Sequence, residues 1–205
     1  MTTRTTTRFT ATRRAATRLL LPTLASAVAI TGIALGAGSA SAATTRQTLS
    51  YGAVDDAYSW SNRPTFNSGA ATKLVAGAYG QDTAVTYLKF SVGTLPAGAV
   101  VERAELTLTR DEHRLPPLVR LSKVASTAWT ERKLTAQNRP ALGAAVATVR
   151  PARDAATVTF DVRPVVTKAG SYSFAVTAPV VNDVARFRSA EYRTGRPVLT
   201  LVVRR

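Results

Sequence analysis

Apolar and polar residues alternate with a period of two along most of this chain, and that pattern restricts it to strands. Leu88 and Phe90 alternate with Tyr87 and Lys89; Ala104, Leu106 and Leu108 with Glu105, Thr107 and Thr109. Val158, Phe160 and Val162 alternate with Thr157, Thr159 and Asp161, and Tyr172, Phe174 and Val176 with Ser173, Ala175 and Thr177. Residues 198–203 form a nearly continuous apolar, β-branched run. Successive side chains on a strand point to opposite faces, so each segment predicts a strand with one face on a core and one in water. Turn formers separate them: Asn67-Ser68-Gly69, Leu95-Pro96-Ala97-Gly98, Pro116-Pro117, Ala169-Gly170-Ser171 and Thr194-Gly195-Arg196-Pro197. One helical turn is expected over residues 163–168, capped by Asp161 or a neighbour. Many short strands with almost no helix predict an all-β chain, an antiparallel β-sandwich in one domain.

That domain is expected to follow an export leader. Residues 1–18 hold Arg4, Arg8, Arg13, Arg14 and Arg18 with no acid, residues 19–35 are apolar, and Ala40-Ser41-Ala42 supplies small residues for cleavage before Ala43. Basic head, apolar middle and A-x-A exit are the marks of a secretory signal over residues 1–42, and the expected location is extracellular. Arg13-Arg14 leaves the twin-arginine route open beside the general one. Residues 43–54 read as a tether or first strand, and residues 55–205 as the sandwich.

The residue inventory closes most routes to catalysis. The chain has no Cys and one His, which removes thiol chemistry, cysteine zinc sites and multi-histidine metal centres. His113 lies in the charged turn Thr109-Arg110-Asp111-Glu112-His113-Arg114, where a solvent-exposed role is expected. Without the five leader arginines the formal charge falls from +15 to +10. Such a surface draws polyanions, more strongly at low ionic strength.

Nine fragments, in order, resemble one family. They are Asp56-Ala57-Tyr58; Pro64 with Asn67-x-Gly69; Tyr87-Leu88-Lys89-Phe90; Leu95-Pro96-Ala97-Gly98-Ala99 leading into Ala104-x-Leu106-x-Leu108; and Trp129-Thr130-Glu131 with Leu134-Thr135. Asn138-Arg139-Pro140, Phe160-Asp161-Val162, Phe187-x-Ser189-x-Glu191 and Arg196-Pro197-x-Leu199 complete the set. Together they resemble a DNRLRE-type domain, also described as carbohydrate-binding module family 96, over about residues 55–203. The resemblance implies a jelly-roll-like β-sandwich in a secreted, non-catalytic protein, some members of which bind acidic polysaccharides such as alginate. Two places depart from the family pattern. Ala136 stands where an aromatic usually follows Leu-Thr, and Phe187-Arg188-Ser189-Ala190-Glu191 moves the arginine of F-x-S-R-E by two places.

Sugar recognition combines flat rings on apolar sugar faces with polar groups on hydroxyls and carboxylates. The candidate ligand-binding residues are therefore Trp60 and Trp129 with Arg63, Lys89, Arg120 and Lys123, the last three expected as cations along one wet sheet face. Arginine grips a carboxylate through two parallel hydrogen bonds. Asp55, Asp56, Asn67, Asp161 and Glu191 offer oxygen ligands for a structural calcium; turn and cap roles are the alternative for each. The leading expectation is a secreted module that binds an acidic, uronate-type polysaccharide, with no specific nucleic-acid partner and no membrane contact after leader cleavage. A structural or adhesive cell-wall protein is the alternative, and a lyase using Tyr58, Tyr87 or Tyr192 as base comes third.

Overall fold

The computed structural model describes residues 44–205; the leader expected over residues 1–42 lies outside them. Ten strands follow in order: β1 (Arg46–Trp60), β2 (Lys73–Tyr79), β3 (Asp82–Val92), β4 (Val100–Thr109), β5 (Val119–Val124), β6 (Leu142–Val149), β7 (Thr157–Asp161), β8 (Gly170–Thr177), β9 (Asp183–Arg188) and β10 (Val198–Arg204). All pairings between them are antiparallel. There is no α-helix among the described residues. The helical turn expected at residues 163–168 is a single turn in which the Val165 and Val166 N–H groups donate to the Val162 carbonyl at 3.0 and 2.9 Å. Asp161 caps it, its Oδ1 accepting the Arg163 N–H at 2.9 Å.

β1 belongs to both layers of the sandwich. Its first half pairs with β10 from Arg46↔Arg204 to Gly52↔Val198. Its second half pairs with β3 from Ala53↔Phe90 to Trp60↔Ala84. One layer is thus β7-β4-β10-β1 and the other β1-β3-β8-β5-β6, with β2 joining β3 and carrying β9 on its far edge. Residues 46–54 are an integral part of β1. A register shift between Ala53 and Asp55 marks the changeover, the bend a β-bulge introduces.

The main core lies between the layers. Leu88, Phe90, Leu121, Phe174 and Val176 from one side meet Leu106, Leu108, Phe160, Leu199 and Leu201 from the other, all buried. Each side chain of this kind contributes about 1.5–3 kcal/mol on leaving water. The alternation of β4, β7 and β10 holds, with their intervening residues more exposed.

β3 and β8 depart from the expected wet face. Tyr87 and Ala175 are buried on the side away from the main core, and with Ala57, Val85, Val124 and Leu134 they form a second cluster under Trp129. The segment between β5 and β6, residues 125–141, lies over this face. It is held there by hydrogen bonds: the Tyr87 hydroxyl donates to the Pro140 carbonyl at 3.1 Å and Trp129 Nε1 to Ser173 Oγ at 3.1 Å. A sheet face that looks half polar in sequence is a second small core.

Candidate functional site

The last turn of β1 and the loop after it build an aromatic cleft. Tyr58 and Trp60 are two residues apart on a strand and so share one face. The chain then doubles back: the Arg63 N–H donates to the Trp60 carbonyl and the Phe66 N–H to the Arg63 carbonyl, both at 3.0 Å. Asn62 Nδ2 donates to Asp82 Oδ2 at 2.9 Å and the Thr83 N–H to Ser61 Oγ at 2.8 Å, tying the loop to the start of β3. Phe66 thereby faces Tyr58, with ring centres 6.0 Å apart at 51°. The Arg63 guanidinium lies 5.7 Å from the Phe66 ring centre. Tyr58, Trp60, Asn62, Arg63 and Phe66 enclose a cavity of about 320 Å³. Arg63 is exposed and makes no ion pair among the described residues. Trp60 Nε1 is buried without a hydrogen bond among the described residues, so the indole presents carbon rather than its N–H.

Of the six residues expected to hold ligand, Trp60 and Arg63 meet in this cleft. Tyr58, Asn62 and Phe66 join them, and the i, i+2 spacing of Tyr58 and Trp60 was the available signal. The other four are elsewhere. Lys89 Nζ is 2.6 Å from Asp55 Oδ2 and donates to the Trp129 and Thr127 carbonyls. It also lies 5.0 Å from the Trp129 ring centre. Both charges of the Lys89–Asp55 pair are largely shielded from water, with side-chain exposures of 13% and 18%. Lys89 is a clamp for residues 125–141, not a free cation. Trp129, half-buried, stands edge-on to Tyr87 at 6.0 Å and 68°.

Arg120 and Lys123 are both exposed, yet the register Arg120↔Thr177 and Lys123↔Phe174 puts them on opposite faces of their sheet. Lys123 lines a separate depression with Val165, Tyr172 and Phe174. The expected row of three cations on one sheet face is therefore not formed: one member is neutralised and another faces the other way.

The oxygen ligands also sort themselves. Asp56 and Glu191 come together, and Glu131, which the sequence reading did not include, joins them. One carboxylate oxygen of each lies within 4.8 Å of the others. Asp56 Oδ2 accepts the Ala190 N–H at 2.7 Å, and Glu131 Oε2 accepts the Asp56 N–H at 3.4 Å. Burial, then the neighbouring Glu191 and Glu131, push the Asp56 carboxyl up to about 7 against the pull of the Ala190 N–H. Glu131 is raised too, chiefly by burial. Asp55, Asn67 and Asp161 have other tasks. Asp55 Oδ1 accepts the Glu131 N–H at 3.0 Å, and Asn67 Nδ2 donates to the Glu131 and Leu134 carbonyls at 2.6 and 2.8 Å. Asp161 caps its turn on β7, in the other layer.

A family model for carbohydrate-binding module family 96 matches residues 47–203. The chain belongs to that family. No curated protein matches it. Membership makes the protein a carbohydrate-binding module, and the structure says what the family fragments do in this family 96 member. In Asn138-Arg139-Pro140, Asn138 folds the loop on itself through the Thr135 N–H and the Lys133 carbonyl, Arg139 donates to Ser59 Oγ, and Pro140 receives the Tyr87 hydroxyl. In Phe187-Arg188-Ser189-Ala190-Glu191, Phe187 fills the core, Ser189 Oγ donates to the Ala71 carbonyl, and Glu191 reaches the acidic cluster. The displaced Arg188 stacks 4.6 Å from the Tyr192 ring centre. These fragments are framework around the second core and the acids. Apart from Tyr58, the aromatic cleft lies outside them.

Proposed function

We propose that this module binds an acidic, uronate-type polysaccharide of the alginate kind, without catalysis, outside the cell. The observation that carries the reading is the cleft in which Tyr58, Trp60 and Phe66 converge with an exposed, unpaired Arg63. Rings of this kind cover the apolar faces of sugars, and a guanidinium at their edge takes a uronate carboxylate through two hydrogen bonds. The formal +10 of the chain without its leader arginines adds long-range attraction for such a polymer. The leader-like residues 1–42 support an extracellular setting.

Non-catalytic binding also fits the three tyrosines weighed as lyase bases. The Tyr87 phenol is buried and bonded to the Pro140 carbonyl, and burial raises it further from proton release. Tyr192 packs against the Arg188 guanidinium, and Tyr58 meets Phe66 at a tilt. Affinity electrophoresis tests the reading. Migration should be retarded in gels containing alginate or pectate, less so as salt is added, and unchanged in gels containing a neutral glucan. Equal mobility in acidic and neutral gels would reject it.

A further inference from the structure

Three carboxylates from distant parts of the chain meet, with Arg132 lining the same cavity but not paired with any of them among the described residues. Asp56 comes from β1, Glu131 from the segment between β5 and β6, and Glu191 from the turn after β9. None of them makes an ion pair among the described residues. Asp56 is 1% exposed, and while its Oδ2 holds the Ala190 N–H, its Oδ1 has no hydrogen-bond partner among the described residues. A buried carboxylate oxygen left unsatisfied beside two like charges is a strongly unfavourable arrangement. The fold nevertheless enforces it. Asn67 fixes the Glu131 carbonyl, Asp55 fixes the Glu131 N–H, and Ser189 Oγ accepts the Glu191 N–H at 3.2 Å.

We propose that Asp56, Glu131 and Glu191 hold a divalent cation, calcium by the chemistry of the donors. All three offer carboxylate oxygen only, the chain has no Cys, and its one His, His113, contacts Arg186 instead. Hard oxygen donors in irregular geometry select calcium over zinc, and water completes its six to eight ligands. Solvent reaches the site from one side. Glu131 and Glu191 line a cavity of about 280 Å³ with Asn67, Gly69, Ala70 and Arg132. A cation there joins β1, the covering segment and the β9–β10 turn at one point. The two cavities are lined by neighbouring residues of one loop, Phe66 in the cleft and Asn67 and Gly69 here. The assignment does not depend on which glycan the cleft takes.

The test uses the purified protein dialysed against a chelator, with calcium chloride as the probe. Calorimetry should show saturable binding near one equivalent, and calcium should raise the unfolding temperature, magnesium much less. Asp56→Asn and the exposed Glu191→Gln should each weaken calcium binding by about tenfold or more. Metal-free Asp56→Asn should also unfold at a higher temperature than the metal-free wild type, because one of three crowded charges is gone. Absence of calcium heat and of any thermal shift at millimolar calcium would overturn the assignment, as would an undiminished calcium response in both variants.

Discussion

Lys89 and Asp55 are paired at 2.6 Å across neighbouring strands, and the Lys89 ammonium lies 5.0 Å from the Trp129 ring centre. Truncating one partner of a well-shielded pair leaves the other charge unmatched, which costs about 3–5 kcal/mol. Lys89→Ala should therefore lower the urea midpoint of unfolding far more than Arg120→Ala, whose side chain is exposed and whose loss should stay within about 0.5 kcal/mol. If Lys89 instead gripped ligand, its loss would leave stability alone and reduce retention on alginate.

Gly69 packs directly on the Glu131 carbonyl, with no room for a Cβ. Gly69→Ala must push the covering segment away or strain the turn, an overpacking cost of about 1–3 kcal/mol. Thermal unfolding checks this. The substitution should also disturb calcium binding, since the displaced residue is Glu131, whereas Gly52→Ala, which meets nothing nearby, should leave calcium binding unchanged.

Arg63→Ala separates charge recognition from stacking in the cleft. It should leave stability within about 0.5 kcal/mol, weaken retention on alginate by roughly tenfold or more, about 1.4 kcal/mol, and flatten the salt dependence of what binding is left. Phe66→Ala should weaken retention while the salt dependence persists. Affinity electrophoresis at several ionic strengths distinguishes the two.

Glu102 supplies a pH-dependent contribution. Its two oxygens each lie 2.7 Å from Nε of Arg46 and Arg204, joining the start of β1 to the end of β10. These guanidinium hydrogen bonds hold the Glu102 carboxyl below its usual value. A carboxyl depressed in the folded state stabilises fully above its unfolded pKa, and the benefit disappears as pH falls through the folded value. The difference in unfolding temperature between wild type and Glu102→Gln should be largest near neutrality and should vanish in strong acid.

Much of this architecture is written in the residue pattern. Leu106, Leu108 and Phe160 are core because they alternate, and Asp161 caps because its side chain is followed by a turn. Tyr87 and Lys89 misled for a physical reason: alternation separates two faces of a strand but is silent about a covering segment that starts only at residue 125. Lys123 is different. It stands three residues from Arg120, and odd spacing alone sets the two on opposite faces. For the acids, Asp56 and Glu191 were legible as oxygen donors, whereas Glu131 joined them only once three remote segments had folded together. The aromatic cleft was half visible, since Trp60 and Arg63 stand close in sequence but Phe66 arrives by a reversal of the chain.

The fifteen residues of β1 also fix where neighbours attach. Arg46 and Arg204 sit side by side at its beginning, and Trp60 ends it. The strand bends where it changes layer, so its two halves serve different sheets. The first half of the strand carries Arg46 beside Arg204, and the second half carries Tyr58 and Trp60. A fusion partner joined after Arg204 would attach beside the beginning of β1, and Trp60 stands at the other end of that strand.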